Sequence, residues 1–300
     1  MKKITWFAFL FLCAMSIQAK PLVVTGSDQH RAHEIGAVAP FTTLSVSGQT
    51  EVDFQQTAEE TYTVSLYGPD NLVDLVDVKS EEGTLFIHYK EPLVVMGDHH
   101  LRVLVLAPSI KQIEVKEHGE VQLVGELDVP ELTILLNGKT EVDADSVQAH
   151  TVKIHTKGDS EVDIGTLTCK VLHVETADKS SVDVQRTSCE QVHALAHNRS
   201  DISLSALSSS SVVADTKQAA EIELKGKTAA ASLTARGRSE VKAGSLQADN
   251  ADVMAGSSAH IDVRVAGTLN AQTEGRGVVE YKGWPREINR SGKGLVRKNS

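Results

Sequence analysis

The sequence predicts an all-β protein, a right-handed parallel β-helix (solenoid) of about 20 residues per coil, and three observations predict it. First, "GDSEVDIG" at 158–165 restates "GKTEVDAD" at 138–145, and "GQTEVDF" at 48–54 is an outlying copy. Second, the apolar residue of that phrase recurs as Val121, Val142, Val162, Val182, Ile202, Ile222, Val241, Ile261, Val279 and Val296, in steps of 17 to 21 residues. Third, no aromatic residue falls between Tyr89 and Tyr281 and no proline between Pro130 and Pro285. A compact core normally leans on large rings, whereas a stack of thin repeated layers does not need them.

In chain order, residues 1–19 read as a secretory signal peptide. Lys2 and Lys3 precede an apolar run from Ile4 to Met15, and Ala19 offers a small residue at the cleavage point. Leu12 stands before Cys13 where a lipid-attachment motif wants a small residue, so no lipid anchor is expected. No later segment is long and apolar enough to span a bilayer, so the chain is not expected to be an integral membrane protein. Residues 20–40 show no period and read as a flexible lead-in. Residues 41–300 read as one solenoid domain. Within it, 41–107 hold longer β-type runs such as "TYTVSLYG" and "GTLFIHYK" that would cap the open end, and 108–298 hold the regular coils.

Inside a regular coil, the pattern around the anchor is two-fold, the signature of a strand whose side chains alternate between faces. Two residues before the anchor stand small residues: Thr140, Ser160, Ser180, Ser200, Ala220 and Ser239 in successive coils. Two residues after it stand Leu123, Ala144, Ile164, Val184, Leu204 and Leu224. Both columns must point inward with the anchor. Four residues before the anchor the chain bends, at Gly138, Gly158, Asp178, Asn198, Gly237, Gly275 and Gly292, residue types that tolerate positive φ. A second strand follows in each coil, as in "TVKIHT" at 151–156 and "VLHVET" at 171–176.

The phrases "FTTLSVSGQTEVDF" (41–54), "YTVSLYGPDNLVDLVDVKSEEGTLFIHY" (62–89) and "LRVLVLAPSIKQIEVKEHGEV" (101–121) carry a resemblance, as does the closing "GRGVVEYKGWPREINRSGKGLV" (275–296). Together they resemble the head GIN domain of exported bacterial auto-transporter adhesins. That resemblance implies a solenoid and, by its name, adhesion; it supplies no catalytic or ligand-binding residues. Lys, Asp and Arg here interrupt the Ser-Gly turns common in that family, which points to a different surface.

The outward positions flanking the anchor are acidic. Glu141, Asp143, Glu161, Asp163 and Asp183 head a carboxylate stripe that continues through Asp201, Glu221, Glu240, Asp262 and Glu280. Its sharper reading is a cation-binding or cationic-partner face, since hard cations take several oxygen ligands. The plainer reading is a solvated wall, with Lys139, Lys179, Arg199 and Arg238 offsetting the repulsion at about 0–1 kcal/mol each. The calcium-binding nonapeptide is missing from the sequence.

Cys169 and Cys189 lie one period apart, each followed after four residues by a histidine, His173 and His193. The spacing invites a zinc reading, but the columns oppose it. Cysteine occupies the inward series Ala149, Cys169, Cys189, Ser209, Ala229 and Ala248, whereas His173 falls between inward Leu172 and Val174 and faces out. A disulfide or a pair of stacked buried thiols remains open for the cysteines, with a structural role either way. His30, His33, His99 and His100 cluster near the entry region, where "DQHRAHE" admits a metal role but reads first as an exposed lead-in peptide, and "NRS" at 198–200 reads as a corner.

Removing Lys2 and Lys3 takes the formal net charge from −10 to −12. That acidity argues against nucleic acid as a partner. No nucleophile–base motif, phosphate-cradling loop or cofactor fingerprint is present, so no catalytic residue and no cofactor is expected. The function expected is an exported, non-catalytic binding or structural module of the envelope, whose partner is a protein or glycan. The alternative is a carbohydrate-active β-helix enzyme of the polysaccharide-lyase kind, which would want aromatic sugar platforms that the wall lacks before Tyr281. The basic tail "SGKGLVRKNS" does not read as a membrane β-barrel, so the expected address is the periplasm, with the cell surface or secretion requiring other machinery.

Overall fold

The computed structural model describes residues 22–97 and 101–299; the expected signal peptide lies outside them. The chain is a β-solenoid of about 9 turns with roughly 20 residues per coil, 77% strand. Successive coils pair in parallel and in register, so that Val121, Val142, Val162, Val182, Ile202, Ile222, Val241, Ile261, Val279 and Val296 form one ladder. From Val121 to Val279 that ladder is at most 1% exposed. The columns two residues to either side are buried with it over the same coils.

Each regular coil is one continuous extended run, such as Glu141–Gly158 or Glu161–Asp178, that carries three inward ladders. The anchor wall is the first, and Val152/Ile154 with Leu172/Val174 belong to another. Between them lies a shorter ladder that includes Leu127, Val147, Leu167 and Leu246. The two-strand reading of the coil omits this ladder, because one or two inward residues between corners are too few to show alternation.

The tight corner follows the residue expected to bend. All seven predicted positions have positive φ, from +63° at Gly275 to +116° at Gly138. Glu117, Gln218 and Ser257 occupy the same corner in other coils with φ of 65°, 67° and 63°. There the register of the neighbouring coils imposes a conformation that the residue type does not favour.

The serines of the small inward column fill space and also satisfy the corner's backbone. Thr176 Oγ1 donates to Ser200 Oγ at 2.8 Å, and the same oxygen accepts the His197 N–H at 3.1 Å while lying 2.8 Å from the His197 carbonyl. Thr156 and Ser180 repeat the arrangement one coil earlier, and Thr216 and Ser239 repeat its hydroxyl and carbonyl contacts two coils later. Ser200 is 0% exposed. Ser200→Ala would orphan the His197 N–H and the Thr176 hydroxyl, so it is expected to cost about 1–3 kcal/mol, read as a lower urea midpoint with unchanged slope.

The N-terminal end is capped, and the order of its coils is not the order of the chain. Strands Thr43–Ser47 and Glu51–Gln56 pair on one side with Gln112–Glu117 and Glu120–Gly138. On the other side they pair with Thr84–Tyr89 and Arg102–Ala107. The chain therefore enters one coil inside the end, lays the terminal coil over itself, and returns. Antiparallel Thr63–Pro69 and Val76–Glu81 and the short helix Asp70–Val73, with Leu72 fully buried, cover the outside.

Part of the expected flexible lead-in is strand instead. Leu22–Thr25 pairs in parallel with Leu93–Met96, and His30–Ala37 pairs antiparallel with Thr63–Pro69. "HRAHEIGA" has no apolar alternation because most of the strand faces solvent; its order comes from the backbone edge it completes.

Candidate functional site

Parallel in-register stacking turns the acidic phrase into two outward ladders. Glu51, Glu120, Glu141, Glu161, Ser181, Asp201, Glu221, Glu240 and His260 form one. Asp143, Asp163, Asp183, Ser203, Glu223, Lys242, Asp262 and Glu280 run along the other. Neighbours within a ladder are one strand spacing apart, about 4.8 Å, so like charges face one another without an intervening residue.

The protonation energetics follow. Glu120, Glu141, Asp143, Asp163 and Asp201 are all pushed above the ordinary carboxylate range, first by partial burial and then by neighbouring carboxylates. A folded-state pKa above the unfolded one means the folded chain binds the extra proton, so each of these groups favours folding less as pH rises through its raised value. Asp143→Asn/Asp163→Asn is therefore expected to be more stable than the parent at pH 7. The difference should shrink as pH falls through the raised folded values and disappear by about pH 2, well below the unfolded aspartate value of about 3.9, where the carboxyls are protonated in both states. Urea midpoints of both chains at the two pH values give the comparison.

The cations expected to offset the stripe do not pair with it. Lys139, Lys179, Arg199 and Arg238 are exposed corner residues, and among the described residues none forms an ion pair within 4.0 Å. Compensation sits at the ends instead. Arg102 lies 3.3 Å from Glu51 and 3.6 Å from Asp53, and Lys242 lies 2.5 Å from Glu221. Between these ends, the five carboxylates from Glu141 to Asp183 that head the predicted stripe share one open wall.

Cys169 and Cys189 are joined by a disulfide, their Cα atoms 4.6 Å apart, and both are buried. Their inward column continues through Thr228 rather than the expected Ala229, because coil Glu221–Gly237 is one residue shorter than its neighbours. His173 and His193 face outward and stack with ring centroids 4.8 Å apart. Burial, with the imidazole of His193 beside it, holds His173 below the usual histidine range. Cysteines and histidines thus lie on opposite sides of the wall and do not form a shared metal site. His30 stacks on Tyr67 at 5.8 Å, whereas His99 and His100 lie outside the described residues. Asn198 of "NRS" sits in the corner and donates to Asp178 Oδ1 at 2.8 Å.

At its C-terminal end the stripe changes character. His260 takes the glutamate position next to Glu240, with Nδ1 3.4 Å from Glu240 Oε1. Its Nε2 lies 3.8 Å from Asp262 Oδ1 and 3.9 Å from Glu280 Oε2, and among the described residues makes no hydrogen bond although it is closed to solvent. Glu280 is 8% exposed, bound by Arg297 through Oε1 and by Asn299 Nδ2 at 2.8 Å through Oε2. The Arg297 guanidinium holds the Glu280 carboxyl below the ordinary range. The sequence reading counted Asp262 and Glu280 as further stripe residues and passed over His260. The available signal was an imidazole standing in an acidic column.

The grooves on the walls are open ones. One of about 420 Å³ runs along the stripe past Glu51, Glu120 and Glu141, and another of about 320 Å³ is lined by Asp252, Asn270, Asn289 and Arg290. In the second, Asn289 donates to Asn270, which donates to Asp252. Among the described residues no helix is long and apolar enough to cross a membrane.

A solenoid with in-register outer walls defines the class, and comparison with known proteins gives the family. The family model described as "Putative auto-transporter adhesin, head GIN domain" matches residues 40–215 and 195–285, and the chain belongs to that family. The chain is similar in fold to a crystal structure described as a putative adhesin from Parabacteroides merdae, at 15% identity and a TM-score of 0.53, covering 93% of this chain and 99% of that one. A second, described as a putative adhesin from Parabacteroides distasonis, is 16% identical with a TM-score of 0.50, covering 92% and 100%. Among curated proteins, none matches.

Proposed function

We propose that the chain is an exported, non-catalytic module of the bacterial envelope that works in the periplasm and binds a protein or glycan on its outer walls. The observation that carries this reading is the continuous carboxylate wall. Glu141, Asp143, Glu161, Asp163 and Asp183 stand in register across adjacent coils without ion pairs within 4.0 Å among the described residues, and partial burial with neighbouring carboxylates holds Glu141, Asp143 and Asp163 above the ordinary carboxylate range. A stability-driven fold would gain by neutralising such a wall, so its retention favours a cationic partner surface there. Membership of an adhesin-like family supports binding as the activity.

The test is retention of envelope material on immobilised protein, comparing the parent with a chain carrying Glu141→Gln, Asp143→Asn, Glu161→Gln and Asp163→Asn. The reading expects the neutral wall to lose at least about tenfold in binding while keeping its β-sheet circular dichroism, since exposed charges steer and hold partners. It also expects no product from a panel of polysaccharides. Undiminished retention by the neutral wall, or release of unsaturated sugars, would overturn it.

A further inference from the structure

His260, Asp262 and Glu280 form a site at the C-terminal end of the carboxylate wall, apart from its open middle, and we propose that His260 Nε2, Asp262 Oδ1 and Glu280 Oε2 bind a divalent transition-metal ion of the zinc class. His260 and Asp262 flank the buried anchor Ile261 on one strand, so their side chains leave the same face. Glu280 is the register partner of Asp262 on the next coil. Strand alternation and coil stacking thus converge three donors from two coils, and their ligand atoms all lie within 4.8 Å of one another.

The state of Nε2 separates this arrangement from an ordinary ion pair. A protonated imidazole among three carboxylates would point both N–H groups at oxygens within about 3.2 Å. Nε2 instead lies 3.8 Å and 3.9 Å from its two carboxylates, closed to solvent and without a hydrogen bond. A buried polar atom in that condition is costly and calls for a partner. Donors about 2.0–2.2 Å from zinc stand about 3.4 Å apart in a tetrahedron, so Nε2 must close on each carboxylate by about 0.5 Å, and the two carboxylate oxygens, within 4.8 Å of one another, by at most about 1.4 Å.

The surroundings are those that hold metal ligands in place. Ligating histidines commonly give their other ring N–H to a carboxylate, which fixes the tautomer; Glu240 Oε1, 3.4 Å from Nδ1, is the carboxylate placed to take that role once the site closes. Arg297 and Asn299 orient Glu280 through Oε1 and Oε2 respectively, and Oε2 lies 3.9 Å from the imidazole Nε2. One imidazole and two carboxylates suit zinc and its neighbours rather than calcium or magnesium, which prefer all-oxygen sets. The ion would staple coil His260–Val265 to coil Val278–Gly283, near the end of the solenoid opposite the antiparallel cap.

The test is titration of the untagged, chelator-treated full chain with zinc chloride at pH 7.5 against a chromophoric chelator, with melting temperature followed alongside. The parent is expected to bind one equivalent, with a melting temperature that rises with zinc, and calcium chloride should reproduce neither effect. His260→Gln and, separately, Asp262→Asn should weaken binding at least about tenfold and abolish the shift. His173→Gln/His193→Gln, which removes the other histidine pair, should leave both intact. Using two ligand variants keeps the result readable if one of them folds poorly. No stoichiometric binding by the parent, equal binding by both ligand variants, or loss only in the His173/His193 variant would each overturn the proposal.

Discussion

Val182→Asp is expected to destabilise the solenoid by more than about 4 kcal/mol, whereas Asp183→Ser one residue along should change stability by no more than about 0.5 kcal/mol. Val182 is 1% exposed and lies between Val162 and Ile202 in the anchor ladder, with apolar residues above, below and across from it. A carboxylate there has no cation to pair with, and burying an unpaired charge or polar group is among the costliest single changes. Asp183 points the other way, and the next coil already carries Ser203 at the same register position. Because a solenoid is stabilised by each coil's contacts with its neighbours, Val182→Asp should also split unfolding into separate transitions for the two flanking arrays. Urea unfolding followed by circular dichroism reads both effects.

Gly226→Ala is expected to cost about 3 kcal/mol or more, through strain and steric overlap rather than a lost contact. In the preceding coil two residues, Ser205 and Ala206, turn the corner; opposite them stands Lys225 alone, and pairing resumes at Leu207 with Gly226. This is where coil Glu221–Gly237 loses its residue. The shortcut holds Gly226 at φ +141°, and a Cβ there would come 2.1 Å from the Leu207 carbonyl oxygen and 2.5 Å from its nitrogen. Those contacts are backbone, which cannot rotate aside. Inserting one serine between Lys225 and the substituted residue restores the two-residue corner and should recover most of the loss. Urea midpoints of the three chains make the comparison.

The sequence made legible whatever was written once per coil. The anchor ladder and its two flanking columns appear because alternation within a strand coincides with a period of about twenty. The corners appear wherever they fall on Gly, Asp or Asn, and disappear at Glu117, Gln218 and Ser257, where stacking rather than residue type sets a positive φ. Small inward serines were visible as small, but their hydrogen bonds to Thr156, Thr176 and Thr216 were not, since those partners lie 23 or 24 residues away in a neighbouring coil. The carboxylate stripe was legible residue by residue. Its unpaired middle was not, because the corner lysines and arginines seemed close enough in sequence to neutralise it. His260 was hidden for a similar reason: its meaning depends on Glu280, one coil onward.

The proposed binding role comes with a periplasmic address, and protease shaving of intact cells reads that address. The mature chain is followed by immunodetection beside a known periplasmic protein. The account predicts that both survive on intact cells and that this chain becomes accessible once the outer membrane is opened. Cleavage of this chain on intact cells, with the periplasmic control untouched, would contradict it and put the carboxylate wall on the cell surface.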